Sequence, residues 1–488
     1  MKKEILRMER VTYIEDGITC LRDFSMQILG GEILGLHPIN GHGLSGFISL
    51  LESNHPLNDG YIYYNGEMVN SWKGALRAHN KISVIGAHNR LVDDLTVIDN
   101  IFVLREGFHQ ELLHVSLLEA QLRPFLSEIG IALPLDTPVG NLSSFERVIV
   151  ELLREVVLGH RLLVLNEIET LLSRQEADEL YRILRHYAKK GFAVLYIGNH
   201  YEEMLKICER TMWFSSGRIL RSIVRPEELP AAVRPFTWDY EKMIRYRLES
   251  HQRDSEKKVL HIQELCGSQM SPLSFEVYQE ECLTLQITDD AAYQDFQDLL
   301  LGSRLPKSGE IFMNGSSCSL LNNPHIAVIR ENATDTMLFP GMSYLENLCI
   351  SFAERVPSVW RDRKIRKSIQ REYAPLLGEE VFSLPVERLS SRQKYQLVYT
   401  RILLAKPSVV FCIQPFKGAD LSHRMLIWQM LEMLLNHHIA VVILAVNISD
   451  ALSISDRLLI VTPEGQREFL QKDFASLPDL VPWMSLYR

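Results

Sequence analysis

Four short segments of this chain occur twice, at almost the same separation. Glu32-Ile33-Leu34 returns as Glu281-Cys282-Leu283, and 281 − 32 = 249. Gly60-Tyr61-Ile62-Tyr63-Tyr64-Asn65-Gly66 returns as Gly309-Glu310-Ile311-Phe312-Met313-Asn314-Gly315, and 309 − 60 = 249. Leu95-Thr96-Val97-Ile98-Asp99-Asn100 is echoed by Met342-Ser343-Tyr344-Leu345-Glu346-Asn347, and 342 − 95 = 247. Leu142-Ser143-Ser144 matches Leu389-Ser390-Ser391, and 389 − 142 = 247. Such a period is the size of a domain, far longer than the repeats of a solenoid. Length alone, 488 residues, would suggest about three domains at roughly 150 residues each. The constant offset reduces this to two similar halves, expected at 1–237 and 259–488. The polar stretch 238–258, with Arg245-Tyr246-Arg247 and Glu256-Lys257-Lys258, reads as a solvated linker containing at least one helical turn.

Each half has one plan. In the first, strand-like pieces Glu4–Arg10 and Leu21–Leu29 precede an apolar run, Ile33–Leu36. A glycine-rich turn and a helical stretch, Ser45–Leu51, follow, then a polar hairpin, Gly60–Met68. Leu104–Leu133 has helical periodicity. Leu162–Leu165 and Ala193–Ile197 read as fully buried strands flanking a helix at Arg174–Lys189. Short apolar runs alternating with helices predict an α/β fold with a largely parallel sheet in each half.

Charge and composition narrow the function classes. The balance is 52 − 61 = −9, which argues against nucleic-acid binding, because phosphate contacts need a basic surface. No run of 18 apolar residues is present, so no membrane-spanning helix is expected. The charged start, Met1-Lys2-Lys3-Glu4, is unlike a secretory signal. Seven scattered cysteines without a CxxC pair fit a reducing cytoplasm better than a zinc site or a disulfide framework.

The turn Pro38-Ile39-Asn40-Gly41-His42-Gly43-Leu44-Ser45 lies between a strand and a helix. A phosphate-binding loop, GxxxxGK[ST], occupies that context: its glycines let backbone N–H groups close on phosphates at a helix N-terminus. With this loop, the Leu-Ser-Ser segment and the strand Leu162-Leu163-Val164-Leu165-Asn166-Glu167 in order, the chain resembles an ABC ATPase. More narrowly it resembles the tandem ATP-binding subunits of bacterial importers for monosaccharides such as ribose, galactose and xylose. The resemblance runs nearly the whole length, through Val461. It implies two tandem ABC-ATPase-like domains, each with a parallel-sheet core, a β-subdomain and a helical subdomain.

The resemblance also implies site residues, and the chain departs from most of them. In the first half Gly41, Gly43 and Ser45 are kept, and Asn40, Gly41, Gly43 and Ser45 mark a vestigial phosphate loop. The loop's first glycine is Pro38 and its lysine is Leu44. The family's Q-loop glutamine aligns with Ala87, its switch histidine with Asn199, and its Mg²⁺-supporting aspartate with Asn166. Glu167 stands at the position of the catalytic glutamate, and Phe145 at a signature glycine. In the second half the loop reads Thr288-Asp289-Asp290-Ala291-Ala292-Tyr293-Gln294, with no glycine. Its signature has Arg392 at a glycine position, and the acidic-pair segment aligns as Ile413-Gln414-Pro415, with both acids gone. Lys417-Gly418-Ala419-Asp420 still resembles the family's D-loop.

The implied activity is therefore a pseudo-ATPase: no catalytic set beyond a vestigial Glu167, no metal site, and no cofactor beyond weak ATP with Mg²⁺. Its partners would be sugar-permease transmembrane subunits or a partner ATPase, met at the cytoplasmic face of the membrane. The family's docking groove maps to Ala87–Arg90 and Arg330–Asn332. Two alternatives stand beside this: a transporter ATPase working at the first site only, and a soluble ligand sensor. Other residues read as structural. His42, His88 and His200 share no metal-binding spacing, Tyr13 reads as strand packing, and Met425–Leu435 reads as a core helix.

Overall fold

The computed structural model describes residues 2–15, 17–86, 90–103, 114–168, 171–224, 228–250, 257–320, 323–350 and 359–477. The chain divides into two compact units, Met1–Trp238 and Asp239–Arg488.

In the first unit an antiparallel sheet holds β1 (Glu4–Glu15), β2 (Ile18–Leu29), β4 (Asp59–Tyr64), β5 (Glu67–Ser71) and β6 (Gly74–Ala75), in the order β2-β1-β4-β5-β6. A six-stranded sheet holds β3 (Ile33–Pro38), β7 (Ser83–Gly86), β8 (Leu162–Asn166), β9 (Ala193–Ile197), β10 (Arg210–Ser215) and β11 (Arg218–Ile223). Its order is β11-β10-β3-β9-β8-β7, parallel except for the edge strand β11. The helices are α1 (Leu44–Glu52), α2 (Val115–Ile129), α3 (Ser144–Val157), α4 (Arg174–Lys189) and α5 (Tyr201–Ile207). Then α6 (Leu229–Ser250) carries the division between the units.

The second unit repeats the plan. Its antiparallel sheet is β13-β12-β15-β16, from β12 (Lys258–Cys266), β13 (Leu273–Tyr278), β15 (Ser308–Met313) and β16 (Ser316–Ser317). Its largely parallel sheet is built from β14 (Cys282–Ile287), β17 (Ile326–Ile329), β18 (Val409–Ile413), β19 (Ala440–Leu444), β20 (Arg457–Thr462) and β21 (Gly465–Leu470). The order β17-β18-β19-β14-β20-β21 corresponds strand for strand to that of the first unit. The helices are α7 (Asp290–Leu301), α8 (Ala333–Thr336), α9 (Tyr344–Cys349), α10 (Val359–Leu377), α11 (Ser391–Ala405) and α12 (Leu421–Asn436).

The apolar runs are continuous because both faces of each parallel sheet are covered. Along β8, Leu162 and Val164 enter the core beneath the antiparallel sheet and α1, while Leu163 and Leu165 enter the core formed with α2, α3 and α4. Along β18, Val409, Phe411 and Ile413 face one core and Val410 and Cys412 the other. Helical periodicity from Leu104 is realised as α2, while 104–113 lie outside the described residues. The stretch read as a solvated linker is helical as far as Ser250. Its residues Tyr240, Ile244 and Arg247, three or four apart, are buried within the second unit. Arg247 donates to the Ile454 carbonyl (3.1 Å) and to both Asp456 carboxylate oxygens (3.2 Å). The charged residues around it conceal this stripe in the sequence.

Backbone conformation also carries the duplication. Left-handed residues recur at Gly31 and Glu280, Gly60 and Gly309, Asn65 and Asn314, Gly159 and Lys406, Glu167 and Gln414, and Gly191 and His438. The offsets are again 247 or 249, as in 309 − 60 = 249 and 414 − 167 = 247. A second shared device is a fully buried asparagine. The Asn100 amide donates to the carbonyls of Val92 (3.1 Å), Leu95 (3.2 Å) and Thr96 (3.0 Å) and accepts from the Val92 N–H (2.8 Å). Asn347 does the same with Phe339, Met342 and Ser343.

Candidate functional site

The first-unit loop runs from the end of β3 to α1. Ile39 N–H donates to the Phe214 carbonyl (2.9 Å), and Leu44 N–H turns back to the Gly41 carbonyl (3.0 Å). Gly43, left-handed at φ 88°, is the residue before the helix. A Cβ there would lie 1.9 Å from the Cys20 carbonyl oxygen, so only glycine fits. A Cβ at Gly46 would likewise lie 2.7 Å from the Cys20 Cβ, and one at Gly217 2.2 Å from the Cys20 carbonyl oxygen. The loop is thus held by close backbone packing.

Its side chains do different work from the one the pattern suggests. Leu44, in the lysine position, is buried in the core beneath the antiparallel sheet. The Asn40 amide is spent on the β10–β11 turn: it donates to Ser215 Oγ (3.0 Å) and Ser216 Oγ (3.1 Å) and accepts from Ser216 N–H (2.9 Å). His42 Nε2 meets the Thr19 carbonyl at 3.1 Å. Ser45 is exposed on the first turn of α1, and Gly41 is exposed in the loop. The stretch Pro38–Ser45 contains no lysine or arginine.

Beside it, at the end of β8, Asn166 holds a buried Oδ1 with no hydrogen-bond partner among the described residues. An amide there cannot supply the negative charge that a divalent cation favours. Glu167 accepts from Asn199 Nδ2 (2.9 Å), and its N–H donates to the Ile197 carbonyl (2.8 Å) at φ 55°. Gln414 repeats that backbone in the second unit: φ is 44° and its N–H reaches the Leu444 carbonyl (2.8 Å). The strained conformation therefore belongs to the fold and persists where the carboxylate is lost.

In the second unit the loop has been wound into helix. Thr288 N–H donates to the Val461 carbonyl (3.0 Å), as Ile39 does to Phe214. Only Thr288 and Asp289 then separate β14 from α7. Asp289 caps the helix by accepting from Ala292 N–H (2.8 Å), and Asp290 follows. The anion that complements this helix end is already part of the chain. Each carboxylate would repel a phosphate oxygen 4 Å away by about 4 kcal/mol at an effective dielectric of 20.

At the lysine position (293 − 44 = 249) stands Tyr293, whose burial pushes its hydroxyl well above the usual tyrosine range. At the position of Gly46 (295 − 46 = 249) stands Asp295, 1% exposed. It accepts from Ser268 Oγ (2.8 Å), Gln269 N–H (2.8 Å) and Met270 N–H (3.2 Å), and so ties the 268–270 loop to α7. Burial works to raise its pKa, but these hydrogen bonds prevail and hold it below the ordinary carboxylate range.

The signature segments are helix caps. Ser143 accepts from Glu146 N–H (3.2 Å), and the Glu146 carboxylate accepts from Ser143 N–H (2.9 Å). Ser390 and Gln393 make the same box before α11. Phe145 packs against the helical core, and Arg392 is exposed. In the D-loop-like segment, Asp420 caps α12 by accepting from His423 N–H (2.9 Å), and Lys417 pairs with Glu331 (2.5 Å).

Ala87, His88 and Asn89 lie outside the described residues. Their neighbour Arg90 is held from three directions. Its N–H donates to Glu151 Oε1 (2.7 Å), its guanidinium meets Glu52 (2.5 Å), and its carbonyl accepts from Arg154 (3.1 Å). Glu151, 2% exposed on α3, is raised to about 7 by burial, against the opposing Arg90 N–H. Sequence reading missed it, because an acid between Val150 and Leu152 gives no sign that it faces inward. Arg330 and Asn332 are exposed. His200 is buried at the start of α5, and no group of three metal-ligating side chains occurs among the described residues. Tyr13 is buried, with its hydroxyl on Glu15 (3.0 Å). Leu426, Ile427, Trp428, Leu431, Leu434 and Leu435 are buried in α12.

The ABC transporter family profile matches residues 21–169. The ribose import ATP-binding protein of Clostridium perfringens is 24% identical over 488 aligned residues, covering 95% of this chain and 94% of that protein. The corresponding Streptococcus agalactiae protein is 22% identical over 90% of this chain and 91% of its own length. A xylose import ATP-binding protein of Shigella flexneri is 22% identical over 94% and 93%. Among solved structures, the RNase-L Inhibitor superposes with a TM-score of 0.58 at 13% identity, covering 96% of this chain and 92% of that one, a likeness of fold. With the duplicated sheets, these similarities give the chain the fold of two tandem ABC-ATPase-like units and a likeness, over nearly its whole length, to the ATP-binding proteins of sugar importers.

Proposed function

We propose that the chain is a pseudo-ATPase related to the ATP-binding subunits of sugar importers, acting as scaffold or regulator through protein contacts. The observation that carries this reading is the second-unit loop. The turn that should cradle phosphates is helix, capped by Asp289 and followed by Asp290. At the first site the reading rests on Leu44 buried at the lysine position and Asn166 in place of an acid. Losing the lysine removes a charged hydrogen bond of roughly 1.5–3 kcal/mol, and the same group would neutralise transition-state charge. Neither site offers a set suited to ATP with Mg²⁺ as a working cofactor.

The partner class is a sugar permease or a second ATPase at the cytoplasmic face of the membrane. Among the described residues no helix is long and apolar enough to cross a membrane, so transport would need a separate subunit. A steady-state ATPase assay on the purified chain, alone and with a reconstituted sugar permease, tests the reading. Background rates identical in wild type and Glu167→Gln are expected. Turnover that Glu167→Gln abolishes would overturn it.

A second reading is favoured by the exposed Ser45, by Glu167 and by the intact Gly41–Gly43 turn: a transporter ATPase working at the first site alone. The same assay supports it if turnover appears only with permease and depends on Glu167.

A further inference from the structure

Three left-handed positions that are glycine in the first unit carry ionisable side chains in the second, and they gather at one place. Gly159 becomes Lys406 (406 − 159 = 247), Gly191 becomes His438 (438 − 191 = 247) and Gly31 becomes Glu280 (280 − 31 = 249). The backbone is the same in both units: Gly159 and Lys406 N–H donate to the carbonyls of Val156 and Leu403, and Gly191 and His438 N–H to those of Ala188 and Leu435. In the first unit a Cβ at Gly159 or Gly191 would touch nothing within 4 Å, so glycine is there for its backbone alone. An ordinary residue at such a φ is disfavoured, yet the second unit accepts it three times, at φ 48°, 63° and 66°.

Lys406 and His438 line a cavity of about 580 Å³ within the second unit, and Glu280 holds His438 Nδ1 at 2.5 Å. The cavity lies by the starts of β18 and β19, at the opposite end of the parallel strands from the α7 loop. Its volume is in the range of small-molecule sites. Lys257 and His437 add basic groups to its wall, against the carboxylate of Glu372. Asn314, itself left-handed at φ 48°, and Asn436 add amides that donate and accept at once. His437 Nδ1 is engaged by the Met433 carbonyl (2.8 Å).

We propose that this cavity is a binding site for a phosphorylated monosaccharide, with Lys406, Lys257 and the Glu280-held His438 meeting the phosphate and the amides meeting hydroxyls. Planar amides paired with a carboxylate suit a polyol, and two ammonium groups suit a dianion. The site lies apart from both nucleotide-loop positions, so it stands whether or not the chain binds ATP.

Calorimetry and thermal shift on the full chain test it, with ribose 5-phosphate and glucose 6-phosphate as probes and ribose, glucose and inorganic phosphate as controls. Saturable binding of a sugar phosphate at least tenfold tighter than either control is expected. Lys406→Gly and His438→Gly relieve a strained φ, so both variants should melt at or above the wild-type temperature while affinity falls at least tenfold. Absence of binding at millimolar probe, equal binding of free sugar or of inorganic phosphate, or affinity unchanged in the glycine variants would each overturn the proposal.

Discussion

Glu151 shows how much one buried carboxyl can couple the molecule to pH. Burial raises its pKa to about 7, so between the ordinary carboxylate value and 7 the folded chain holds a proton that the unfolded chain has lost. Stability from this group is therefore present at low pH, falls as pH rises through that window, and is flat above it. Glu151→Gln, which keeps an acceptor for Arg90 N–H, should gain up to about 3 kcal/mol relative to wild type between about pH 4.5 and 7.5. Urea denaturation of both proteins across that range measures the difference. Asp295 has the opposite sign. Its hydrogen bonds hold it below the ordinary range, so its contribution is present above about pH 4 and is lost as pH falls through its folded value. Asp295→Asn should narrow the acid unfolding difference, read as a smaller loss of melting temperature below that pH. Neither acid could be singled out in the sequence. Burial on a helix face and loop N–H groups from another segment set both pKa values, and one chain's local pattern contains neither.

The repeated elements are held by repeated devices, and their removal should cost alike in the two units. Asn100→Ala and Asn347→Ala each strip four hydrogen bonds from a buried loop and leave carbonyls unpaired, for a loss of roughly 3 kcal/mol. Chemical denaturation of each variant measures it. The glycines separate by their surroundings. Gly159→Ala meets only the left-handed backbone penalty of about 1–2 kcal/mol. Gly43→Ala adds a collision with the Cys20 carbonyl and should be clearly more destabilising in the same assay. At this scale much was legible. The apolar runs gave β3, β8 and β9, and the helix at Arg174–Lys189 appears with those limits. The landmark segments ending in Asn100 and Asn347 were visible as repeats, but their hydrogen bonds were not. In 238–250, charged neighbours outweighed the buried Tyr240, Ile244 and Arg247.

Across the whole molecule, the two units share a scaffold but not the side chains of their loops. Strand order, helix caps and left-handed turns recur with an offset of 247 or 249. At positions where the resemblance implies triphosphate contacts, the side chains have structural partners: Leu44 and Tyr293 are buried, Asp289 caps a helix, and Asp295 ties down a loop. The differences from the family pattern were legible position by position, because the landmarks fixed the register. The replacements' new roles were not, since they depend on partners from β2, β10 and the 268–270 loop. Titration calorimetry of the purified full-length chain with ATP, with and without Mg²⁺, is the most direct test of this account. It predicts no saturable heat at millimolar nucleotide under either condition. Micromolar, Mg²⁺-dependent binding that is weakened by substituting Ser45 would contradict it.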